Sequence, residues 1–171
     1  MLYASSEPGD IDAAARTSQS SNGVHAPATA LLELDRAECL RLLAATSVGR
    51  VAVNVPDWPP VVRPVNYVFD EPSQSVLFRS ARGSKLHALL HSARAAFEID
   101  GTEPDSRAAW SVIVVGVTEE VTRPLEIARL EHLGLKPWAP GPKPHWIRIR
   151  AGTVSGRRIA VPLDTRPQDR P

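Results

Sequence analysis

Arg50-Val-Ala-Val-Asn-Val55 and Val61-Val-Arg-Pro-Val-Asn-Tyr-Val-Phe69 flank the short segment Pro56-Asp-Trp-Pro-Pro60. Both flanks carry β-branched and aromatic residues, and the prolines and aspartate between them form a turn, so the three pieces read as a β-hairpin. Trp58, within that turn, is expected to cover the end of a barrel. Working outward, a second turn at Asp70-Glu-Pro-Ser-Gln74 leads into Ser75-Val-Leu-Phe-Arg-Ser80. Further strands are expected over Arg94 to Asp100, Trp110 to Val121, His145 to Arg150 and Thr153 to Ala160. Three helices interrupt them. Asp35 and Glu38 have the spacing of a capping box ahead of Leu40, Leu42, Leu43 and Ala44, with Gly49 expected to end that helix. A short helix spans Ser84 to His91, with Leu86, Leu89 and Leu90 at helical spacing, and Pro124 suits the first turn of a helix running to Leu133. Strands joined mostly by hairpin-length connections, without regular βαβ alternation, favour a mainly β protein with short helices, an antiparallel barrel rather than a doubly wound sheet.

The chain has 171 residues, enough for one ordinary domain. Residues 1–30 are rich in Ser, Ala, Gly and Pro and nearly free of large apolar side chains, so they are expected to form a flexible tail, with a folded domain over 31–162 and a C-terminal tail over 163–171. Lys plus Arg number 20 against 19 for Asp plus Glu, so nothing in the overall balance draws the protein to nucleic acid or to an anionic membrane. Any anion site must be local. Cys39 is the single cysteine, which excludes an internal disulfide, and with no basic residue or His beside it a buried structural thiol is expected. The first ten residues lack a basic and an apolar signal region, and no apolar run approaches a spanning helix; a cytoplasmic location is therefore expected.

The chemistry concentrates in Phe78-Arg-Ser-Ala-Arg-Gly-Ser-Lys-Leu-His87, a strand that ends in a loop containing Gly83 and starts a helix at Ser84. A helix start exposes unpaired N–H groups and a positive dipole end, to which Arg79, Arg82 and Lys85 add formal charge and Ser80 and Ser84 add hydroxyl donors. That combination suits a phosphate. The residues by themselves also fit an ordinary N-cap at Ser84 within a solvated basic surface. The segment is not a Walker loop, whose spacing is absent. His25, His87, His91, His132 and His145 form no metal motif, and no Gly-x-Ser-x-Gly elbow supports a hydrolase. Trp138, in the stiff run Pro137-Trp-Ala-Pro-Gly-Pro-Lys-Pro144, either lids a flat ring or packs at a dimer interface.

Arg63-Pro-Val-Asn-Tyr67, Phe78 to Leu86 and Trp110-Ser-Val-Ile-Val-Val-Gly116, in that order, resemble the pyridoxamine 5'-phosphate oxidase-like superfamily over residues 32 to 160. The resemblance implies an FMN-binding split β-barrel that dimerises and holds two flavins at its interface. It further implies that Arg63 reaches the phosphate or ribityl chain from the strand Arg63-Pro64-Val65-Asn66, and that Asn66 faces the polar edge of the ring. Arg79 and Ser80 would contribute at the strand end, Gly83, Ser84 and Lys85 at the phosphate, and Trp110 and Ser111 at a strand position that touches the flavin. The homodimer would bring the Pro137 to Pro144 loop or the C-terminal strand of one chain to the cofactor held by the other. Superfamily relatives use a deazaflavin or bind haem instead, and a deazaflavin carries phosphate too. In place of the C-terminal Arg-x-His pair of true pyridoxamine phosphate oxidases, this chain has His145-Trp-Ile-Arg-Ile-Arg150 and Ser155-Gly-Arg-Arg-Ile159, which argues against that vitamin oxidation.

The implied function is a flavin-dependent oxidoreductase of unspecified substrate, in which no side chain is assigned as catalytic because hydride exchange with a flavin needs none; a module that stores or senses flavin without turnover is the alternative. Lys85→Ala is expected to weaken FMN binding roughly ten- to hundredfold, the worth of one charge-assisted hydrogen bond to phosphate, and Arg82→Ala to weaken it less. Titration calorimetry on the two variants checks the order.

Overall fold

The computed structural model describes residues 30–55, 58–81, 94–103 and 108–160. The expected tails apart from Ala30, the expected helix at 84–91 and the loop residues Arg82, Gly83, Ser84 and Lys85 lie outside these described residues, as do the side chains of Val55 and Trp58. Seven strands are present: β1 (Ala30–Leu34), β2 (Val48–Val55), β3 (Trp58–Asp70), β4 (Ser75–Ser80), β5 (Arg94–Glu103), β6 (Ala108–Val121) and β7 (His145–Ala160). Helix α1 (Arg36–Ala45) follows β1, and α2 (Pro124–Glu131) follows β6. The strands form one sheet in the order β1-β7-β4-β3-β2-β5-β6, and an additional β6–β7 pairing closes it on itself. Every pairing is antiparallel. The expected antiparallel split barrel is the observed fold.

Alternation along the strands sorts side chains to the two faces. Val51, Val53, Ala95, Phe97, Ile99, Val112 and Val114 are buried and meet in the main core. Tyr67 packs edge-to-face on Phe97 at 4.7 Å between centroids, and its hydroxyl donates to the Leu43 carbonyl of α1. That helix buries Cys39, Leu42 and Leu43. Burial pushes the Cys39 thiol upward, so it is a packed structural group. Asp35 caps α1 by accepting from the Glu38 N–H at 2.8 Å. The return half of a capping box is not made, because the Glu38 carboxylate is drawn to Arg41 and Arg158 instead.

Three expectations are corrected. The segment read as two strands, His145 to Arg150 and Thr153 to Ala160, is the single strand β7; its first half pairs with β4 and its second half with β1, while β6 follows it nearly throughout. The irregularity is a bulge on β7: Val115 pairs with Thr153 and Gly116 with Ala151, which leaves Gly152 without a partner on β6, and a Cβ on Gly116 would lie 1.8 Å from the Arg150 carbonyl oxygen. Gly49 does not end α1, which is closed by Thr46; it lies in β2 beneath Phe97, whose ring atom Cζ would be 2.3 Å from a Cβ there. The glycine serves close approach, not helix termination. Finally, no strand was expected over residues 30–34, where β1 runs.

A second, smaller cluster of Leu77, Val121, Leu130 and Trp146 sits under α2. Ion pairs frame it: Arg148 reaches Glu119 at 2.9 Å and also Glu126, and Arg129 meets both carboxylate oxygens of Asp70 at 2.9 and 2.8 Å. Among the described residues no helix is long and apolar enough to cross a membrane. Arg129 holds the buried Asp70 carboxyl below its ordinary value, against the opposing effect of burial. A depressed folded value contributes stability above the unfolded pKa of about 3.9 and loses it as pH falls through the folded value. Asp70→Asn is therefore expected to lower stability by about 1–3 kcal/mol near neutral pH and to flatten the acid-side loss, as followed by thermal melts across the acid range.

Candidate functional site

At one end of the barrel, β2 and β3 lie side by side with Val48 opposite Asn66, and β4 flanks them with Arg79 near its end. The chain from α2 to β7 crosses this end. Gly134 and Gly141 adopt φ of +71° and +86°, turns that a side chain would resist, and the prolines between them exclude regular structure.

Two side chains of the barrel hold that crossing loop. Asn66 donates through Nδ2 to the Lys136 carbonyl at 2.7 Å and accepts through Oδ1 from the Trp138 N–H at 3.2 Å. Arg79 donates through Nε to the Lys143 carbonyl at 2.8 Å, and its guanidinium lies over the Trp146 ring at 5.1 Å from the centroid. Between barrel and loop is an open cleft of about 230 Å³. Of the residues singled out from sequence, Pro64, Val65, Asn66, Arg79 and Trp138 line it together. Val48, Ala139 and Lys143 line it as well and were missed. Lys143 carried no local signal: it stands between two prolines, and at the cleft its carbonyl accepts from Arg79.

The remaining candidates fall elsewhere. Arg63 is exposed, folds back to donate to the Val62 carbonyl at 2.9 Å, and does not line the cleft. Ser80 is buried, 4% exposed, on the opposite side of β4 from Arg79, as strand alternation requires. Trp110 packs against the main core and lies so close to Gly101 that a Cβ there would be 2.5 Å from its ring. Ser111 lines a separate cleft with Glu33, Ile113 and Arg157. Strands β2 and β5 intervene between β3 and β6, a separation of about 14 Å at the usual strand spacing, so one chain does not bring Ser111 to the Arg79 cleft.

The charge pattern separates Arg79 from the other arginines that are not fully exposed. Arg148 is shared between Glu119 and Glu126, and Arg158 between Glu38 and Glu103. Arg79, half-buried, has no carboxylate partner among the described residues, and none of the described residues lining its cleft is acidic. A cation withdrawn from water beside apolar walls, without a counter-charge, is an arrangement that an anionic group relieves.

The sequence pattern of the pyridoxamine 5'-phosphate oxidase family matches residues 35–158. An uncharacterised protein of Mycobacterium tuberculosis is 34% identical over 136 residues, which span 77% of this chain and 87% of that protein. The solved FAD-binding protein of Mycobacterium smegmatis is 30% identical, with a TM-score of 0.64 over 75% of this chain and 98% of its own. An FAD-binding protein of Mesorhizobium loti is 26% identical, with a TM-score of 0.62 over 77% of this chain and 98% of its own.

Replacing Arg79 by Met keeps a long apolar stem but removes the donor to Lys143 and the cation over Trp146. A loss of about 1–2 kcal/mol is expected, measurable as a shift in the urea midpoint.

Proposed function

Because the chain belongs to the pyridoxamine 5'-phosphate oxidase family, we propose that the Arg79 cleft holds a flavin nucleotide and that the protein is a flavin-dependent oxidoreductase. The observation that carries this reading is the half-buried Arg79 without a carboxylate partner among the described residues, at the end of the strand that precedes Arg82, Ser84 and Lys85 in the sequence. The bound flavin would supply the electron and hydride chemistry. The chain's own residues would orient it: Arg79 would anchor the phosphate, with Arg82, Ser84 and Lys85, which follow it in sequence and lie outside the described residues, as further candidates, and Val48, Pro64 and Val65 offer an apolar wall to a flat ring. FMN is the cofactor read from the sequence. FAD is the second reading, favoured by the two FAD-binding relatives at 30% and 26% identity.

The proposal includes a homodimer. A cleft of about 230 Å³ is too small and open to enclose a tricyclic ring, since enclosed ligand sites span about 300–1,000 Å³. The strand registers also align Val62, Ala52, Ala96 and Val115 in one row across β3, β2, β5 and β6 on the outside of the barrel. With exposed Ile113 and Val117 this row makes an apolar face that begins beside the cleft and ends near Ser111. Two such faces related by a two-fold axis would cover each other and bring Ser111 of the partner subunit toward the Arg79 cleft.

The absorption spectrum of the purified protein, with the mass of the ligand released on denaturation, tests the cofactor. Flavin bands with an FMN or FAD mass are expected; a Soret band or a deazaflavin mass overturns that assignment. Oxidation of reduced nicotinamide or reduced deazaflavin by the loaded protein separates turnover from storage. Light scattering is expected to give a dimeric mass, and a monomer that retains its flavin would exclude the shared site.

A further inference from the structure

We propose that the 136–143 loop is itself a ligand-binding element: Lys143 takes an anionic group jointly with Arg79, Trp138 stacks on the ligand's aromatic ring, and Asn66 is a positioning residue that holds the loop rather than a group that touches the ligand. This rests on the flavin reading above and assigns different work to Asn66, Trp138 and Lys143 within it.

Asn66 is committed at both ends of its amide. One donor serves the Lys136 carbonyl and the oxygen serves the Trp138 N–H, so the side chain replaces a rung of backbone pairing between β3 and the loop. Its effect on a ligand is therefore exerted through Trp138, whose own N–H it fixes. The Trp138 indole is 73% exposed at the cleft. A large aromatic ring left in water by a proline-rich loop that is pinned at Lys136, Trp138 and Lys143 is a stiff platform, and stacking on it costs little further ordering.

Lys143 has three ammonium donors, of which one reaches the Pro140 carbonyl at 3.2 Å. Arg79 has spent its Nε–H on the Lys143 backbone, and the four N–H groups on its terminal nitrogens have no hydrogen-bond partner among the described residues. Two cations thus line one cleft from opposite banks, with no acidic residue among the described residues of its lining. Their repulsion is relieved by an anion that both contact. The backbone of Lys143 is tied to Arg79, so a bond that helps fix the loop also gathers the two charges.

Riboflavin and FMN share the ring and differ by the phosphate, so fluorescence titrations with both separate the three roles. Lys143→Ala is expected to weaken FMN roughly tenfold or more while leaving riboflavin within about twofold. Trp138→Ala is expected to weaken both ligands by a similar factor. Asn66→Ala is expected to weaken both as well, and adding Trp138→Ala to it to cost little more, since the platform is already released. Thermal melts report whether each variant folds, and the Lys143 and Trp138 variants carry the test if the Asn66 variant does not. A Lys143 variant with an unchanged ratio of FMN to riboflavin affinity overturns the anion subsite, and a full Trp138 effect in the Asn66 background overturns the positioning role. A wild-type protein that binds neither riboflavin, FMN nor FAD instead overturns the flavin reading and this inference with it.

Discussion

The pairing of β6 with β7 is the constraint on which the rest depends. Without it the remaining strands are an open sheet with two edges; with it they form a ring whose inner side chains meet in one core. The closure requires β7 to pass from β4 to β1 while remaining against β6, and β7 accommodates that path with a bulge at Gly152, opposite Val115 and Gly116, the latter having no room for a side chain. It also sets where His145 begins β7, and so where the chain arriving from α2 must cross the barrel end. The cleft is a consequence of that crossing.

Charge is arranged to the same end. Around α2 the buried or partly buried charges are neutralised locally, Asp70 by Arg129 and Arg148 by Glu119 and Glu126, so that the helix is held to β7 and to the end of β3. Burying those ions is tolerable because each has hydrogen-bonded partners. A few residues away, the Lys143 carbonyl satisfies one donor of Arg79 and the Trp146 ring faces its cation, with no full neutralisation. Among the described residues no carboxylate reaches Arg79, and the apolar neighbours Val48, Pro64 and Val65 would strengthen an electrostatic contact made there.

The site residues are dispersed by the same geometry that makes the barrel. Strand alternation sends Arg79 and Ser80 to opposite sides of β4, and the strands between β3 and β6 keep Ser111 away from the cleft. Residues adjacent in a motif need not act at one place in one chain. A second copy meeting the outer row from Val62 to Val115 would restore proximity without any change within the barrel.

By itself the sequence determined the class of the fold and picked out several residues that share the candidate cleft. Local chemistry suffices for that: β-branched runs such as Val61 to Phe69 favour extended backbone, Pro and Asp mark turns, Asp35 caps a helix, and a run such as Pro137 to Pro144 cannot be regular. Pro64, Val65, Asn66, Arg79 and Trp138 were all legible as site candidates and do share a cleft. Only the tertiary structure decided what depends on partners distant in the chain. Ala30 to Leu34 carries little strand signal and is a strand because β7 offers it an edge, and residues 145–160 are one strand because β6 supports them across Gly152. Gly49 resembled a helix stop until Phe97, from β5, took the space its side chain would occupy. The loop-holding role of Asn66 and the place of Lys143 arise from bonds spanning 70, 72 and 64 residues. No local pattern encodes such contacts, because they exist only once the ring has closed and brought the crossing loop over the ends of β3 and β4.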